Sequence, residues 1–205
     1  ALQLTDEQRL LLTLANRSLR RIRRIADMVS LASTLDAGSF RLRRCSVDLV
    51  AVLRGAAAVA ATLEPRREVE LVCDLPDGPC PAVVDADRLG CAVSELLINA
   101  LRHARRRVRL GLDLPPGEAR VTIEDDGQGV PEDRRASLFL RYAPRPTHSG
   151  LGMGLAITHD LIAAHDGRLW LEASTLPPGR PGTTGARFVA SFPLAPAPSL
   201  DQAPV

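Results

Sequence analysis

Glu95 and Asn99 stand four residues apart in the stretch Ser94–Ala104, S-E-L-L-I-N-A-L-R-H-A. Leu96, Leu97, Ala100, Leu101 and Ala104 recur at the three- and four-residue spacing of an amphipathic helix, so the two polar side chains share one helix face. An amide oxygen on such a face can ligate a hard cation such as Mg²⁺. A carboxylate one turn away can orient or deprotonate a nucleophile. Taken alone, the pair is better explained as a solvated face.

Two glycine-bearing stretches add chemistry of their own. Arg120-Val121-Thr122-Ile123 alternates as a strand and runs into Glu124–Pro131, E-D-D-G-Q-G-V-P. Asp125 falls at the strand end, and Gly127 and Gly129 let the backbone turn and come close to a ligand. An ordinary strand-to-helix turn explains this segment equally well in isolation. Ser149–Ile157, S-G-L-G-M-G-L-A-I, sets Gly150, Gly152 and Gly154 in alternation directly before an apolar helical pattern. Amide N–H groups and the helix dipole at such a start favour a bound anion.

The order of the segments is far more specific than any one of them. E-L-L-x-N-A, D-x-G-x-G, a short helix carrying Leu138-Phe139, and G-x-G-x-G follow one another along the chain. Together they resemble the N, G1, F and G2 boxes of the Bergerat ATP-binding fold, and most closely the catalytic domain of sensor histidine kinases. The resemblance runs from about Phe40 to Leu194. It implies ATP and Mg²⁺. Asp125 is then the adenine reader, because its carboxylate accepts an exocyclic amino hydrogen where guanine would present a carbonyl. Gly127 and Gly129 give base and sugar close backbone access, and Asn99 is the Mg²⁺ ligand. Arg102 occupies a place where many members have lysine, and is either a phosphate clamp or a surface arginine. Gly150, Gly152 and Gly154 wrap the triphosphate, with Leu151, Met153 and Leu155 beside them. Arg141, Tyr142 and Arg145 belong to the ATP lid. Glu95 is the catalytic carboxylate. Hydrolysing members of the superfamily place Glu there to activate water, and several histidine-kinase branches use it to polarise the acceptor imidazole.

Composition sets outer bounds. A chain of 205 residues has room for one core of ordinary size and a small appendage. A net charge of +2 gives no global reason to expect nucleic acid. All 26 basic residues are arginine, which excludes a Walker A P-loop and any Schiff-base chemistry. Cys45, Cys73, Cys80 and Cys91 show no metal-binding spacing and read as reduced structural thiols of a cytoplasmic chain. A Cys73–Cys80 bridge across an expected hairpin is the less favoured alternative. No signal peptide is visible, and the longest apolar run, Val47–Ala61, is too short to span a membrane and carries Arg54.

The elements that must carry these residues follow from periodicity and punctuation. Thr5–Leu35 reads as one long helix opened by Thr5-Asp6-Glu7-Gln8. Phe40–Ser46 reads as a strand and Val47–Thr62 as a helix. Glu68–Asp74 and Cys80–Val84 read as paired strands around Pro76-Asp77-Gly78-Pro79. Asp85–Ala104 is the helix bearing Glu95 and Asn99, and Arg107–Leu114 and Ala119–Asp125 form a hairpin. Pro131–Leu140 is short and helical, Leu155–His165 a helix, and Gly167–Ala173 and Gly185–Phe192 closing strands. Interleaved strands and helices with hairpins predict an α/β two-layer sandwich, with a mixed, mainly antiparallel sheet on helices and one long helix in front. The expected divisions are 1–38, the second helix of a dimerisation hairpin; 39–194, the ATP-binding domain; and 195–205, a disordered Pro/Ala-rich tail.

The N-terminal helix carries an apolar stripe, Leu11, Leu14, Leu19, Ile22, Ile25, Ala26, Val29 and Ala32, that it cannot bury alone. The stripe needs a second copy of the helix or a neighbour outside this chain, and the resemblance implies a homodimer through this helix. The arginines opposite read as a solvated or docking face rather than a nucleic-acid surface. The family's phospho-accepting histidine box is absent: the histidines are His103, His148, His159 and His165, none of them on the N-terminal helix. A start at Ala1 rather than Met fits a piece of a longer kinase, with any membrane attachment lying in missing segments. Three readings stand. The first is the ATP-binding portion of a histidine kinase that passes phosphate to a response regulator. The second is a Bergerat ATPase or anti-sigma-factor serine kinase. The third is a non-catalytic scaffold or phosphotransferase.

Overall fold

The computed structural model describes residues 5–141, 153–180 and 182–194. The chain divides into two compact units, Ala1–Phe40 and Arg41–Val205. In the first, α1 spans Asp6–Asp36. Thr5 caps it by a reciprocal box in which the Thr5 hydroxyl accepts from the Gln8 N–H at 3.2 Å and the Gln8 side chain accepts from the Thr5 N–H at 3.0 Å. Leu11, Leu14, Leu19, Ile22 and Val29 stand exposed along it.

The second unit follows from hydrophobic alternation. Its elements are β1 (Cys45–Asp48), α2 (Leu49–Leu63), β2 (Glu70–Asp74), β3 (Pro81–Val84), α3 (Ala86–His103), β4 (Arg107–Asp113) and β5 (Glu118–Asp125). They continue as α4 (Glu132–Arg135), α5 (Gly154–Ala164), β6 (Arg168–Glu172) and β7 (Ala186–Pro193). Among the described residues the main sheet runs β2-β4-β5-β7-β6; β2 lies parallel to β4 and every other pair is antiparallel. One sheet face presents Val108, Leu110, Val121, Ile123, Phe188, Ala190 and Phe192, all buried. The helices answer with Leu49, Leu53, Leu89, Val93, Leu96, Leu97, Leu161 and Ile162. This is the expected two-layer α/β sandwich with a mixed, mainly antiparallel sheet.

Three local expectations need correction. The strands around Pro76–Pro79 do not pair with each other: β2 joins β4, and β3 joins β1 in a separate two-stranded ladder. The turn fixes where the chain reverses, but partners are chosen by the apolar faces, Leu71 and Cys73 lying in register with Val108 and Leu110. Without that hairpin the Cys73–Cys80 bridge loses its geometry, and all four cysteines are free thiols. Second, β1 begins only at Cys45. The residues before it bond side to side instead of in a ladder, the Arg43 N–H donating to Asp85 Oδ2 at 2.8 Å and Arg44 Nη2 to the Ala164 carbonyl at 2.8 Å. Third, the helix after Pro131 stops at Arg135 and gives way to three-residue turns, Ser137 N–H to Arg134 O and Leu140 N–H to Ser137 O.

Candidate functional site

α3 is pinned at its start. Asp85 caps it, accepting from the Arg88 N–H at 3.1 Å, and its own N–H donates to Nε2 of His165 at 3.2 Å. His165, 3% exposed, therefore carries its ring proton on Nδ1 and donates to the Leu161 carbonyl at 2.8 Å. The apolar face of α3 is buried, and the stripe Glu95–Asn99–Arg102 lies at i, i+4, i+7 on one side. Glu95 is only 6% exposed; Asn99 and Arg102 are half-buried.

Glycines approach α3 at Glu95 and at its C-terminal residue His103. A Cβ on Gly154, the first residue of α5, would stand 2.9 Å from Glu95 Oε2. A Cβ on Gly127 would collide with the His103 carbonyl oxygen and lie 2.7 Å from Asp125 Oδ1. Glu95 and His103 are eight residues apart, about 12 Å along the helix axis. Gly129 sits at φ +76°, where a side chain would strike Thr184 Oγ1 and come 2.7 Å from the Gly185 carbonyl oxygen. The turn Gly182–Gly185 closes over this region, the Gly185 N–H donating to the Gly127 carbonyl at 3.1 Å.

The three consecutive acids at the end of β5 have three different environments. Glu124 is fully buried and ion-paired to Arg109 and Arg187, each at 3.0 Å. Burial pushes its pKa up, but the Arg109 hydrogen bond and the two arginine charges more than offset that and hold it below the ordinary value. Asp126 accepts the N–H groups of Arg105 at 2.8 Å and Arg106 at 3.1 Å; these outweigh burial and lower its pKa. Asp125 is 2% exposed and accepts the Gly127 N–H at 2.9 Å. Desolvation dominates there and, with the Asp126 and Glu124 charges, lifts it to about 6 despite hydrogen bonds from Gly127 and Ala186. A buried carboxylate next to a glycine turn is a strong acceptor for a donor-bearing ring.

Other expected site residues fall as follows. Arg102 donates through Nε to Glu64 at 3.0 Å. Arg141 pairs with Asp160 on α5, next to the stacked rings of Phe139 and His159, 5.4 Å between centroids. Met153 and Leu155, at the start of α5, are buried. Tyr142, Arg145, Gly150, Leu151 and Gly152 lie outside the described residues. Glu124, Thr184 and Glu64 were missed by sequence reasoning. Gly182-Thr183-Thr184-Gly185 was a legible signal for the second; the other two depend on register and helix packing. Among the described residues no cluster of three or more His, Cys, Asp or Glu could hold a metal.

The family model described as "Histidine kinase-, DNA gyrase B-, and HSP90-like ATPase" matches residues 84–196, more than half of the chain. The solved structures that match include full-length ShkA in complex with AMPPNP, at 26% identity and a TM-score of 0.73; the match covers 96% of this chain and 41% of that one. The chain thus spans less than half the length of ShkA. The mycobacterial sensor histidine kinase MprB matches at 24% identity and a TM-score of 0.64, covering 75% of this chain and 100% of its own. Histidine kinase AdeS of Acinetobacter baumannii matches at 18% identity and a TM-score of 0.65, covering 94% and 87%. No curated protein matches the chain.

Proposed function

We propose that this chain, which belongs to the family of histidine kinase-, DNA gyrase B- and HSP90-like ATPases, is the ATP-binding catalytic portion of a two-component sensor histidine kinase. The γ-phosphoryl group of ATP passes to an imidazole nitrogen of a histidine outside this chain, ADP leaves, and the group moves on to an aspartate of a response regulator. The observation that carries this reading is the close approach of α3 to two glycines: Gly127, where a Cβ would collide with the His103 carbonyl oxygen, and Gly154 at the start of α5, where a Cβ would stand 2.9 Å from Glu95 Oε2.

In this reading Asp125 accepts the adenine amino hydrogen, and its burial is what makes that hydrogen bond selective. Gly127 and Gly129 keep the wall beside the base thin. Gly154, with Gly150 and Gly152, carries the triphosphate at the start of α5, where Met153 and Leu155 pack. Asn99 would hold Mg²⁺ through its amide oxygen, which suits a hard cation that takes few protein ligands. The cation would supply charge neutralisation to the polyphosphate. Glu95 takes up or orients the proton of the attacking imidazole, Arg102 steadies a phosphate, and Arg141, Tyr142 and Arg145 belong to the segment that covers the nucleotide. The residue type at Glu95 also favours a second reading, an ATPase or serine kinase in which this carboxylate activates water or a hydroxyl.

Calorimetric titration with a non-hydrolysable ATP analogue, with and without Mg²⁺ and against a GTP analogue, tests the proposal. Mg²⁺-dependent binding that excludes guanine is the expected result. Absence of binding would leave a scaffold. In a separate assay with ATP itself, steady phosphate release without any histidine-bearing partner would favour the ATPase.

A further inference from the structure

The segment Glu64-Pro65-Arg66, just past α2, grips the C-terminal end of α3 in two ways. Arg66 Nη1 donates to the carbonyls of Leu101 at 3.4 Å and Arg102 at 3.3 Å, covering acceptors that a helix end leaves open. Glu64, whose side chain is 18% exposed, accepts from Arg102 Nε at 3.0 Å. The division of labour matters. Because Arg66 serves the helix carbonyls, the Arg102 side chain is not the cap of its own helix. Because Glu64 engages Nε–H, on the edge that Nε shares with one terminal nitrogen, the end-on edge between the two terminal nitrogens is not taken up by that contact. A planar guanidinium held in this way presents a fork suited to a phosphate.

We propose that Glu64 is a positioning residue, holding Arg102 so that its terminal nitrogens face a polyphosphate bound along the Glu95–Asn99–Arg102 stripe. The inference rests on the nucleotide-binding reading and adds a residue outside every motif of the site. An unrestrained arginine on a helix surface samples many rotamers and must be ordered when it binds. Glu64 orders it beforehand. Neutralisation of the arginine by the carboxylate works in the opposite direction, so the sign of the effect is itself a test.

The experiment is calorimetric titration of the 205-residue chain with an ATP analogue and with adenosine, comparing wild type, Glu64→Ala, Glu64→Gln, Arg102→Ala and the double variant Glu64→Ala/Arg102→Ala. Glu64→Ala is expected to weaken the analogue roughly tenfold, the scale of one charge-assisted hydrogen bond, and to leave adenosine unchanged. Glu64→Gln, whose amide oxygen still accepts from Nε, should recover most of the loss. The double variant should bind no worse than Arg102→Ala. Unchanged or tighter binding of the analogue by Glu64→Ala, an equal loss for adenosine, or additive losses in the double variant would overturn the proposal. Should Glu64→Ala fail to fold, Glu64→Asp serves in its place, keeping the charge but drawing the guanidinium back by one methylene. If wild type binds neither ligand, the nucleotide reading falls and takes this inference with it. If Asp125→Ala loses binding while Arg102→Ala keeps it, the reading stands and the inference alone is wrong.

Discussion

Asp125 combines two opposing demands. Folding must bury its carboxylate, and its pKa is raised from 3.8 to about 6. The folded state therefore holds the proton more tightly than the unfolded chain. Ionisation costs the fold about 3 kcal/mol above pH 6, and that cost is relieved as pH falls from 6 toward 4. Asp125→Asn should accordingly raise the thermal midpoint at pH 8 and bring little gain at pH 4, measured by thermal denaturation at both values. The same substitution should weaken adenine binding by a few kcal/mol at most. Wild-type affinity should fall as pH drops through 6, because the charged acceptor is lost, while stability moves the other way. Gly154→Ala places a methyl against Glu95 Oε2 and should reduce affinity for an ATP analogue more than for adenosine, read by the same titration. Asn99→Ala should abolish Mg²⁺-dependent turnover while leaving adenosine affinity unchanged, measured by radiolabel transfer to a histidine-bearing partner. Asp125, Gly127 and Glu95 were legible as a motif. The contrast between Asp125 and its neighbours was not, since the string E-D-D-G says nothing of which acid meets arginine, which has its charge held by backbone amides and which is left dominated by desolvation.

At the scale of elements, the outer face of the sheet carries a row of alternating charge. Arg109, Glu124, Arg187 and Glu172 occupy one register line across β4, β5, β7 and β6. Each neighbouring pair is bridged, at 3.0, 3.0 and 3.4 Å. Thr175 adds a backbone N–H to Glu124 at 3.2 Å. Replacing the central carboxylate leaves two guanidinium groups facing each other, so Glu124→Gln should cost about 3 kcal/mol in chemical denaturation. Because the Glu124 pKa is depressed, its contribution is complete above the ordinary carboxylate range and is lost only as pH falls below it. The sequence announced β5 and β7 by alternation, but not which residues would stand opposite each other. The same limit explains the mispaired β2 and β3, where turn chemistry was read correctly and partnership was not. Helices fared better. Capping residues are local, and Thr5 and Asp85 mark their starts within one residue.

For the whole molecule, α1 is 31 residues long and displays Leu19 and Ile22 at 63% and 62% exposure. We expect a homodimer through this stripe. Leu19→Glu with Ile22→Glu should convert it to monomer in sedimentation while nucleotide affinity in the second unit stays the same. No helix among the described residues is long and apolar enough to cross a membrane. The amphipathic period of α1 was plain from sequence, as was its need for a partner; which chain supplies that partner is not written in a period.

Trp170 is the only tryptophan, set in β6 at the sheet edge with its indole N–H donating to Glu172 at 2.7 Å. The first unit, Ala1–Phe40, contains neither tryptophan nor tyrosine. Emission excited at the red edge therefore reports on the sheet alone and is blind to α1. A circular-dichroism midpoint that differs from the fluorescence midpoint would show the helix melting as its own cooperative unit, with the sheet serving as an internal optical clock.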